Sequence, residues 1–113
     1  MFEADFLIAG TGFDVDLAVR PEMAGIAERA ALWGDRYTPP EGEANPRLAR
    51  YPYLGPGFEF LEKVPGNAPW LRHIRLFTYA TTVSFGPSGA SINAMKFAVP
   101  KLVSGIVGDL FRE

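Results

Sequence analysis

The sequence of 113 residues contains no cysteine. This absence excludes a disulfide framework, a thiolate metal site and a redox-active dithiol, and it suits a reducing compartment. The only histidine, His73, is flanked by Arg72 and Arg75, so no second histidine could share a metal ion with it. The carboxylates form only loose pairs, which fit solvated charge better than acid–base catalysis or a hard-cation site. We therefore expect His73 to be an ordinary surface side chain.

Basic clusters and long apolar runs are also lacking. The eleven lysines and arginines are scattered and leave a formal net charge of −2, whereas binding to a phosphate backbone requires clustered cations. The apolar runs are too short to span a bilayer, and Glu3 and Asp5 stand where a signal peptide carries basic residues. We therefore expect a soluble, cytoplasmic protein with neither nucleic acid nor membrane as a partner. Its length fits one domain or part of one.

The run from Asp5 to Phe13, DFLIAGTGF, is typical of a buried strand that ends in a tight glycine turn. Four apolar residues follow Asp5 without interruption, as in strands that are covered on both faces. Gly10 and Gly12 form a G-x-G, but Val15 stands where the dinucleotide-binding fingerprint needs its third glycine. A turn that binds no ligand is therefore favoured over a phosphate-binding loop.

A helix and an irregular segment follow this turn. The stretch Arg20–Trp33 has apolar residues at helical spacing, with Pro21 suited to the first turn and Gly34 suited to the stop. Residues 35–57 are rich in proline and glycine, which predicts a long irregular loop. Because this loop also contains three tyrosines, we expect it to pack in an ordered way against a surface.

The second half of the chain predicts further strands and a long helix. Apolar and charged residues alternate from Phe58 to Val64, and His73–Phe85 is rich in β-branched and aromatic residues, so both stretches favour strands. From Ser91 to Phe111 apolar residues occupy a wide arc, which predicts a largely buried helix that Pro100 kinks or divides. The expected fold class is α/β or α+β: a small mixed sheet from the Asp5, Phe58 and His73–Phe85 regions, with helices at Pro21–Trp33 and Ser91–Phe111.

The loop Gly86–Ser91 leads into the last helix and is a second candidate for a backbone anion site. The free N–H groups and partial positive charge of a helix N-terminus attract anions, and Gly89 lets the backbone approach a ligand closely. Ordinary capping by Ser88 or Ser91 explains the same residues and is favoured from the residues alone. The sequence thus supplies two candidate backbone sites, with no catalytic side-chain constellation and no metal site.

The order of these features resembles the C-terminal portion of flavin-containing monooxygenases and related FAD/NAD(P)-dependent oxidoreductases with two dinucleotide-binding domains. In that family a D-x-x-x-x-A-T-G-Y/F run returns the chain from the NAD(P) domain to the FAD domain. The run DFLIAGTGF is similar to it, with Gly10 in place of the alanine. The stretch FGPSGASINAMKFAVPKLVSGIVGDLF, from Phe85 to Phe111, is similar to the family's final loop and helix. The middle stretches LWGDRYTPP and YPYLGPGFEF are similar to bacterial members.

The resemblance implies that residues 1–113 are one partial domain, the C-terminal segment of an FAD-binding Rossmann-like domain, with 35–57 as a loop within it. It implies that the last helix aims its N-terminus at the pyrimidine end of the isoalloxazine, where backbone N–H groups stabilise negative charge on reduced flavin. The resemblance thus favours ligand binding over ordinary capping at the loop Gly86–Ser91. At the Gly10–Gly12 turn it changes the preference for a turn without ligand only a little. The implied cofactor contacts are Gly10, Thr11, Gly12, Gly89, Ala90, Ser91 and Ile92.

Both G-x-G-x-x-G units of that family are absent from the sequence. We therefore expect the chain alone to bind FAD weakly or not at all and to be inactive. The expected parent is a monooxygenase-like enzyme that uses FAD and NADPH or NADH to oxygenate a small organic substrate.

The expected partners are the missing N-terminal FAD and NAD(P) domains, and an isolated fragment would form a homo-oligomer such as a dimer through its apolar flanks. The alternative is a self-contained protein-binding or oligomerisation module with no catalytic role. Such a module would use its aromatic, proline-rich middle as an interface, and it too would associate.

Overall fold

The computed structural model describes residues 3–10, 12 and 14–112. Regular structure in this part of the chain consists of α-helices and short 3₁₀ helices. The α-helices are α1 (Ala24–Ala27), α2 (Trp33–Arg36), α3 (Pro46–Ala49), α4 (Thr82–Phe85) and α5 (Ile92–Phe111). The 3₁₀ helices are Leu17–Val19, Pro21–Met23, Pro69–His73 and Tyr79–Thr81.

The predicted small mixed sheet, and with it the α/β or α+β class and the Rossmann-like part, is wrong, because the described residues contain no β-strand. Pairing between their extended segments is limited to isolated antiparallel bridges: Ala30–Glu62, Leu32–Pro52, Leu54–Phe60 and Glu59–Arg75. A ladder needs consecutive residues with extended backbone. Phe58 breaks that run, since its φ of +68° lies in the left-handed region.

The stretch His73–Phe85, predicted as a strand, turns helical at Thr78. The Thr78 side-chain oxygen accepts a hydrogen bond from the N–H of Ala80 at 3.2 Å and so caps the 3₁₀ turn. Further on, the Thr82 hydroxyl donates to the carbonyl of Tyr79 at 2.6 Å. The β propensity of these threonines is therefore outweighed by their capacity to bond the local backbone.

The predicted helix Arg20–Trp33 is also interrupted. α1 ends at Ala27, and the backbone then pairs with distant segments. The N–H of Ala31 donates to the carbonyl of Leu61 at 2.8 Å, and the carbonyl of Ala31 accepts from the N–H of Tyr53 at 2.9 Å. Small alanines in this stretch therefore permit close packing between two loop segments, rather than between a helix and a sheet.

The proline- and glycine-rich segment 35–57 contains α3 and packs against α2. The Asn45 side chain caps α3 by accepting hydrogen bonds from two of its first N–H groups, at 3.1 and 3.2 Å. The rings of Trp33 and Tyr53 meet edge to face with centroids 4.8 Å apart. The expected ordered packing of this segment is thus present, with helical structure that its composition did not indicate.

The hydrophobic core lies among the bridged segments and the 3₁₀ helices. Its buried members are Leu17, Ala30, Leu54, Phe60, Ala68, Leu71, Leu76 and Ala80. Beside it, the ring of Phe58 packs at 5.2 Å from that of Phe77 and at 4.5 Å from that of Phe85. We call these three rings the aromatic cluster. It lies at the junction between the core and α5.

Helix α5 agrees with the helix predicted from Ser91 to Phe111, and Pro100 lies within it without dividing it. The expected burial of this helix is wrong. Among its residues, all of which the structure describes, Ala98 alone is buried, while Val103 is 48% exposed and Leu110 is 69% exposed. The apolar arc of α5 therefore lacks cover within the described chain.

The described chain is elongated, with extents of 64 × 33 × 32 Å and a radius of gyration of 16.8 Å. A compact domain of about 100 residues has a radius of gyration of about 13 Å. The segment predicted as a buried strand at Asp5 contributes to this shape, since Phe6, Leu7 and Ile8 are 90–94% exposed. No helix in the described ranges has the length and apolar character needed to cross a membrane.

Candidate functional site

The loop Gly86–Ser91 is fixed in front of α5 by buried hydroxyl groups. The side-chain oxygens of Thr81 and Ser88, both buried, lie 2.9 Å apart. The Thr81 hydroxyl donates to the carbonyl of Thr78 at 2.8 Å, so Ser88 is the donor in the bond between the two hydroxyls. The Thr81 oxygen also accepts from the N–H of Gly89 at 3.3 Å. A satisfied buried network of this kind holds the loop in one conformation.

Gly89 is the point at which this loop passes closest to another backbone segment. A Cβ built on Gly89 would lie 2.6 Å from the carbonyl oxygen of Thr78 and 2.7 Å from its nitrogen. Such distances exclude any side chain unless the backbone shifts. The glycine here therefore has a packing explanation that is independent of any cofactor.

The N-terminus of α5 is open. Ser91 precedes the helix, but its side chain makes no capping hydrogen bond; its carbonyl accepts from the N–H groups of Ala94 and Met95, both at 3.1 Å. Ile92, the first helical residue, is 87% exposed. The capping favoured from the residues alone is thus not made by Ser91, and Ser88 bonds Thr81 instead. The accessible N–H groups at this end carry the partial positive charge of a 20-residue helix.

The remaining predicted cofactor contacts lie on the exposed N-terminal segment. A Cβ built on Gly10 or Gly12 would meet nothing within 4 Å apart from its chain neighbours. Gly12 has a φ of +88°, as suits a glycine turn, and Thr11 lies outside the described residues. The predicted contacts therefore fall into two separate groups, since neither glycine packs against the loop Gly86–Ser91.

Arg75 ties α5 to the rest of the described chain. Its mostly buried side chain, 13% exposed, donates from Nε to the carbonyl of Gly57 at 3.1 Å and from Nη2 to the carbonyl of Gly105 at 3.0 Å. Nη2 also pairs with the carboxylate of Asp109 at 2.5 Å. That hydrogen bond lowers the pKa of Asp109 below its ordinary value. Sequence reasoning noted Arg75 only as a neighbour of His73 and missed this role.

Other titratable groups have local explanations. The imidazole nitrogen Nε2 of His73 accepts from Nε of Arg72 at 3.1 Å. Partial burial raises the pKa of the Tyr51 hydroxyl, and the neighbouring Tyr79 raises it further. Within the described residues no group of three or more histidine, aspartate or glutamate side chains is placed to hold a metal ion.

The comparisons with known proteins give one informative relative. No protein-family model matches the chain, and no solved structure matches it significantly. The FAD-dependent urate hydroxylase of Xanthomonas campestris pv. campestris is 41% identical over 107 residues, which cover 95% of this chain. The chain is homologous to part of an FAD-dependent oxidoreductase. It spans only 23% of the length of that hydroxylase.

This homology supports the expected FAD dependence of a longer protein and its class, an oxidoreductase and flavoprotein. It does not bear on the resemblance to flavin-containing monooxygenases or on the use of NADPH or NADH, which stay predictions. Cytoplasmic location and dimerisation also stay predictions.

Proposed function

We propose that this chain is the C-terminal flavin-domain segment of an FAD-dependent, NAD(P)H-using hydroxylase of the flavin-containing monooxygenase type. The observation that carries the proposal is the 41% identity to a urate hydroxylase over 95% of the chain. Urate, the substrate in that relative's name, is the first candidate for the substrate of the longer protein. The segment itself contributes binding and electrostatics rather than a nucleophile or a general base.

The role assigned to the segment is to present the N-terminus of α5 to the pyrimidine end of the flavin. The backbone N–H groups of Ala90, Ser91 and Ile92 would hold that end, and the uncapped Ser91 and exposed Ile92 fit such a contact. A helix terminus carries about half a positive charge, which stabilises negative charge on the reduced ring. FAD, when bound, supplies hydride acceptance and oxygen activation. Gly89 and Thr81 keep the helix end in place.

The partners in this proposal are the FAD and NAD(P) domains of the same protein. Two apolar surfaces support it: the segment Phe6–Ile8, which is almost fully exposed, and the outer face of α5 around Val103 and Leu110. Burying one large aliphatic side chain stabilises a protein by about 1.5–3 kcal/mol, so exposed apolar surfaces of this size favour a cover. The turn Gly10–Gly12 would then lie at the domain junction, beside the cofactors.

The test is a chimera in which this chain replaces the matched segment of the Xanthomonas hydroxylase. The proposal predicts a stoichiometric FAD complex that oxidises NADPH or NADH in the presence of urate. A folded chimera that takes up no FAD, as judged by flavin absorbance, would contradict it. The isolated chain, titrated with FAD under the same conditions, should show weak binding or none.

A variant at Ile92 tests the flavin contact separately. Ile92 is the first residue of α5, where proline is tolerated, so Ile92→Pro removes one N–H donor and leaves the helix intact. In the chimera this variant should lower the flavin reduction potential, whereas Ile92→Val, which keeps the donor, should not. Equal potentials in the two variants would exclude the contact.

A self-contained protein-binding or oligomerisation module is the second candidate; its interface would be the aromatic, proline-rich middle of the chain, where Tyr37 is 56% exposed. On that alternative the chimera folds without FAD, whereas dimerisation of the isolated chain is expected on both proposals. A chimera that binds FAD would exclude it.

A further inference from the structure

A cleft of about 210 Å³ lies between the aromatic cluster and α5. We call it the aromatic slot; its main lining residues are Phe58, Phe85, Pro87, Phe97, Ala98 and Lys101. Pockets for drug-sized ligands measure about 300–1,000 Å³, so the slot suits a smaller molecule. Its walls are mostly hydrocarbon, and Lys101 provides its positive charge.

The inner wall of the slot is held in place at the expense of backbone strain. Phe58 is fully buried and has a φ of +68°, a conformation that bulky residues rarely adopt. Its N–H donates to the carbonyl of Gly55 at 3.0 Å, and its carbonyl accepts from the N–H of Leu76 at 2.9 Å. Strain of this kind persists where the surrounding structure fixes it, and it concentrates at binding sites. The buried Phe58 ring supports the Phe85 ring at 4.5 Å, and Phe85 and Phe97 are the accessible aromatic walls of the slot, which favours a flat, aromatic ligand.

The charge at the slot is positive. The Lys101 ammonium lies 4.8 Å from the centroid of the Phe85 ring, and no carboxylate of the described chain pairs with it. Two acidic residues line the adjoining cleft: Asp109 pairs with Arg75, and Glu59 accepts from the N–H of Gly57 at 2.8 Å. An anionic ligand in the slot could therefore pair with the Lys101 ammonium.

The slot adjoins the helix end assigned to the flavin. Pro87 and Ser88 belong both to the slot and to the loop Gly86–Ser91, and Ala94 lines the slot from the first turn of α5. We propose that the aromatic slot binds the substrate, a planar aromatic or heteroaromatic anion, with its ring beside Phe85 and its charge at Lys101. This inference rests on the proposed function, since only a flavin at the end of α5 would make the slot a substrate site.

The test uses the isolated chain and three small probes followed by NMR chemical shifts. Benzoate is planar and anionic, benzamide is its neutral counterpart, and cyclohexanecarboxylate is anionic but not planar. Benzoate should bind in the millimolar range, as expected for so small a ligand, and should shift the signals of Phe85, Phe97 and Lys101. The other two probes should each bind about two- to fivefold more weakly, the factor expected from one exposed ion pair or one ring contact.

Variants separate charge recognition from folding. Lys101→Met should weaken benzoate binding about fivefold and leave benzamide binding unchanged. Lys63→Met is the matched control, because Lys63 lies outside the slot and pairs with Asp35 at 3.4 Å. Circular dichroism checks that both variants are folded. Equal affinities for benzoate and benzamide, or shifts that map away from the slot, would overturn the proposal.

Whether benzoate binds in the slot can be measured independently of the FAD proposal, because the probe titration contains no flavin. If added FAD displaces benzoate from the slot, the slot belongs to the cofactor and its assignment to the substrate is wrong. If the chimera fails to take up FAD, the proposed function fails, whatever the affinity of the isolated chain for benzoate, and the assignment to a substrate fails with it.

Discussion

Gly57 and Gly105 are in direct backbone contact. A Cβ built on Gly105 would lie 2.9 Å from the Cα of Gly57, and one built on Gly57 would lie 3.1 Å from the Cα of Gly105. Arg75 bridges the same pair by donating to both of their carbonyls. α5 is thus attached by this main-chain contact and the Arg75 guanidinium together with the buried Ala98, while most of its apolar arc is exposed.

The glycine contact predicts that Gly105→Ala displaces α5. The added methyl group meets backbone that cannot rotate away, so we expect a loss of about 1–3 kcal/mol in the free energy of unfolding. Urea denaturation measures this loss, and faster hydrogen exchange within α5 should accompany it. Gly108→Ala is the matched control: its Cβ would meet nothing within 4 Å, and alanine favours helix by up to about 1 kcal/mol. Similar effects of the two substitutions would contradict the assigned contact.

Removing the guanidinium group of Arg75 should also loosen the attachment of α5. Arg75→Met keeps much of the apolar stem but leaves the carbonyls of Gly57 and Gly105 and the Asp109 carboxylate without their donor. Hydrogen bonds to charged groups contribute about 1.5–3 kcal/mol, so hydrogen exchange in α5 should accelerate by one to two orders of magnitude. Arg20→Met, a substitution of an exposed arginine between the first two 3₁₀ helices, serves as the control. Unchanged hydrogen exchange in Arg75→Met would mean that the Arg75 guanidinium contributes little to holding α5 in place.

The ion pair between Arg75 and Asp109 predicts that the stability of the folded chain depends on pH. The hydrogen bond from Arg75 lowers the folded-state pKa of Asp109 below the ordinary value of 3.8. A carboxyl group whose pKa is depressed on folding stabilises the native state fully above its unfolded pKa, and this contribution is lost as pH falls through the folded pKa. The carboxyl carbon of Asp109 should therefore titrate below pH 3.8 in NMR experiments. In Arg75→Met it should return towards 3.8, and an unchanged midpoint there would contradict the pairing.

Gly89 should be intolerant of alanine even without any cofactor. Its Cβ would meet the Thr78 backbone at 2.6 Å, so Gly89→Ala should lower the free energy of unfolding by about 1–3 kcal/mol and shift the signals of Thr81 and Ser88. Gly10→Ala, where a Cβ meets only open space, should leave the free energy unchanged. If Gly89→Ala were as stable as the parent, the glycine would have to be explained by a ligand instead.

The long helix could be predicted because its signals are local. The loop Gly86–Ser91 provides a start, and apolar residues continue from Ile92 onwards, so the bounds of α5 agree with the prediction. Its exposure could not be predicted in the same way. Binary patterning assumes that the partner of an apolar face is present, and the described chain places no partner on this one.

The sheet prediction failed for a different reason. β-branched residues around Thr78 and Thr81 carry strand propensity, but their hydroxyls bond the local backbone and turn the chain into helix. From Phe58 onwards apolar and charged residues do alternate, but the left-handed backbone of Phe58 limits the pairing of this stretch to isolated bridges. The hydrogen bond from Arg75 to Gly105 could not be predicted from a local sequence pattern, since the two residues lie 30 positions apart.

The left-handed Phe58 also limits how this chain could be engineered. Replacing a left-handed residue by glycine is a way to relieve backbone strain, because glycine adopts positive φ at no steric cost. Here that strategy would relieve a strain of about 1–2 kcal/mol and delete a buried ring whose removal costs about 3–5 kcal/mol. A library that is filtered on backbone geometry alone would therefore select the wrong residue at this position. A successful redesign would therefore keep the buried Phe58 ring and accept the left-handed backbone at this residue.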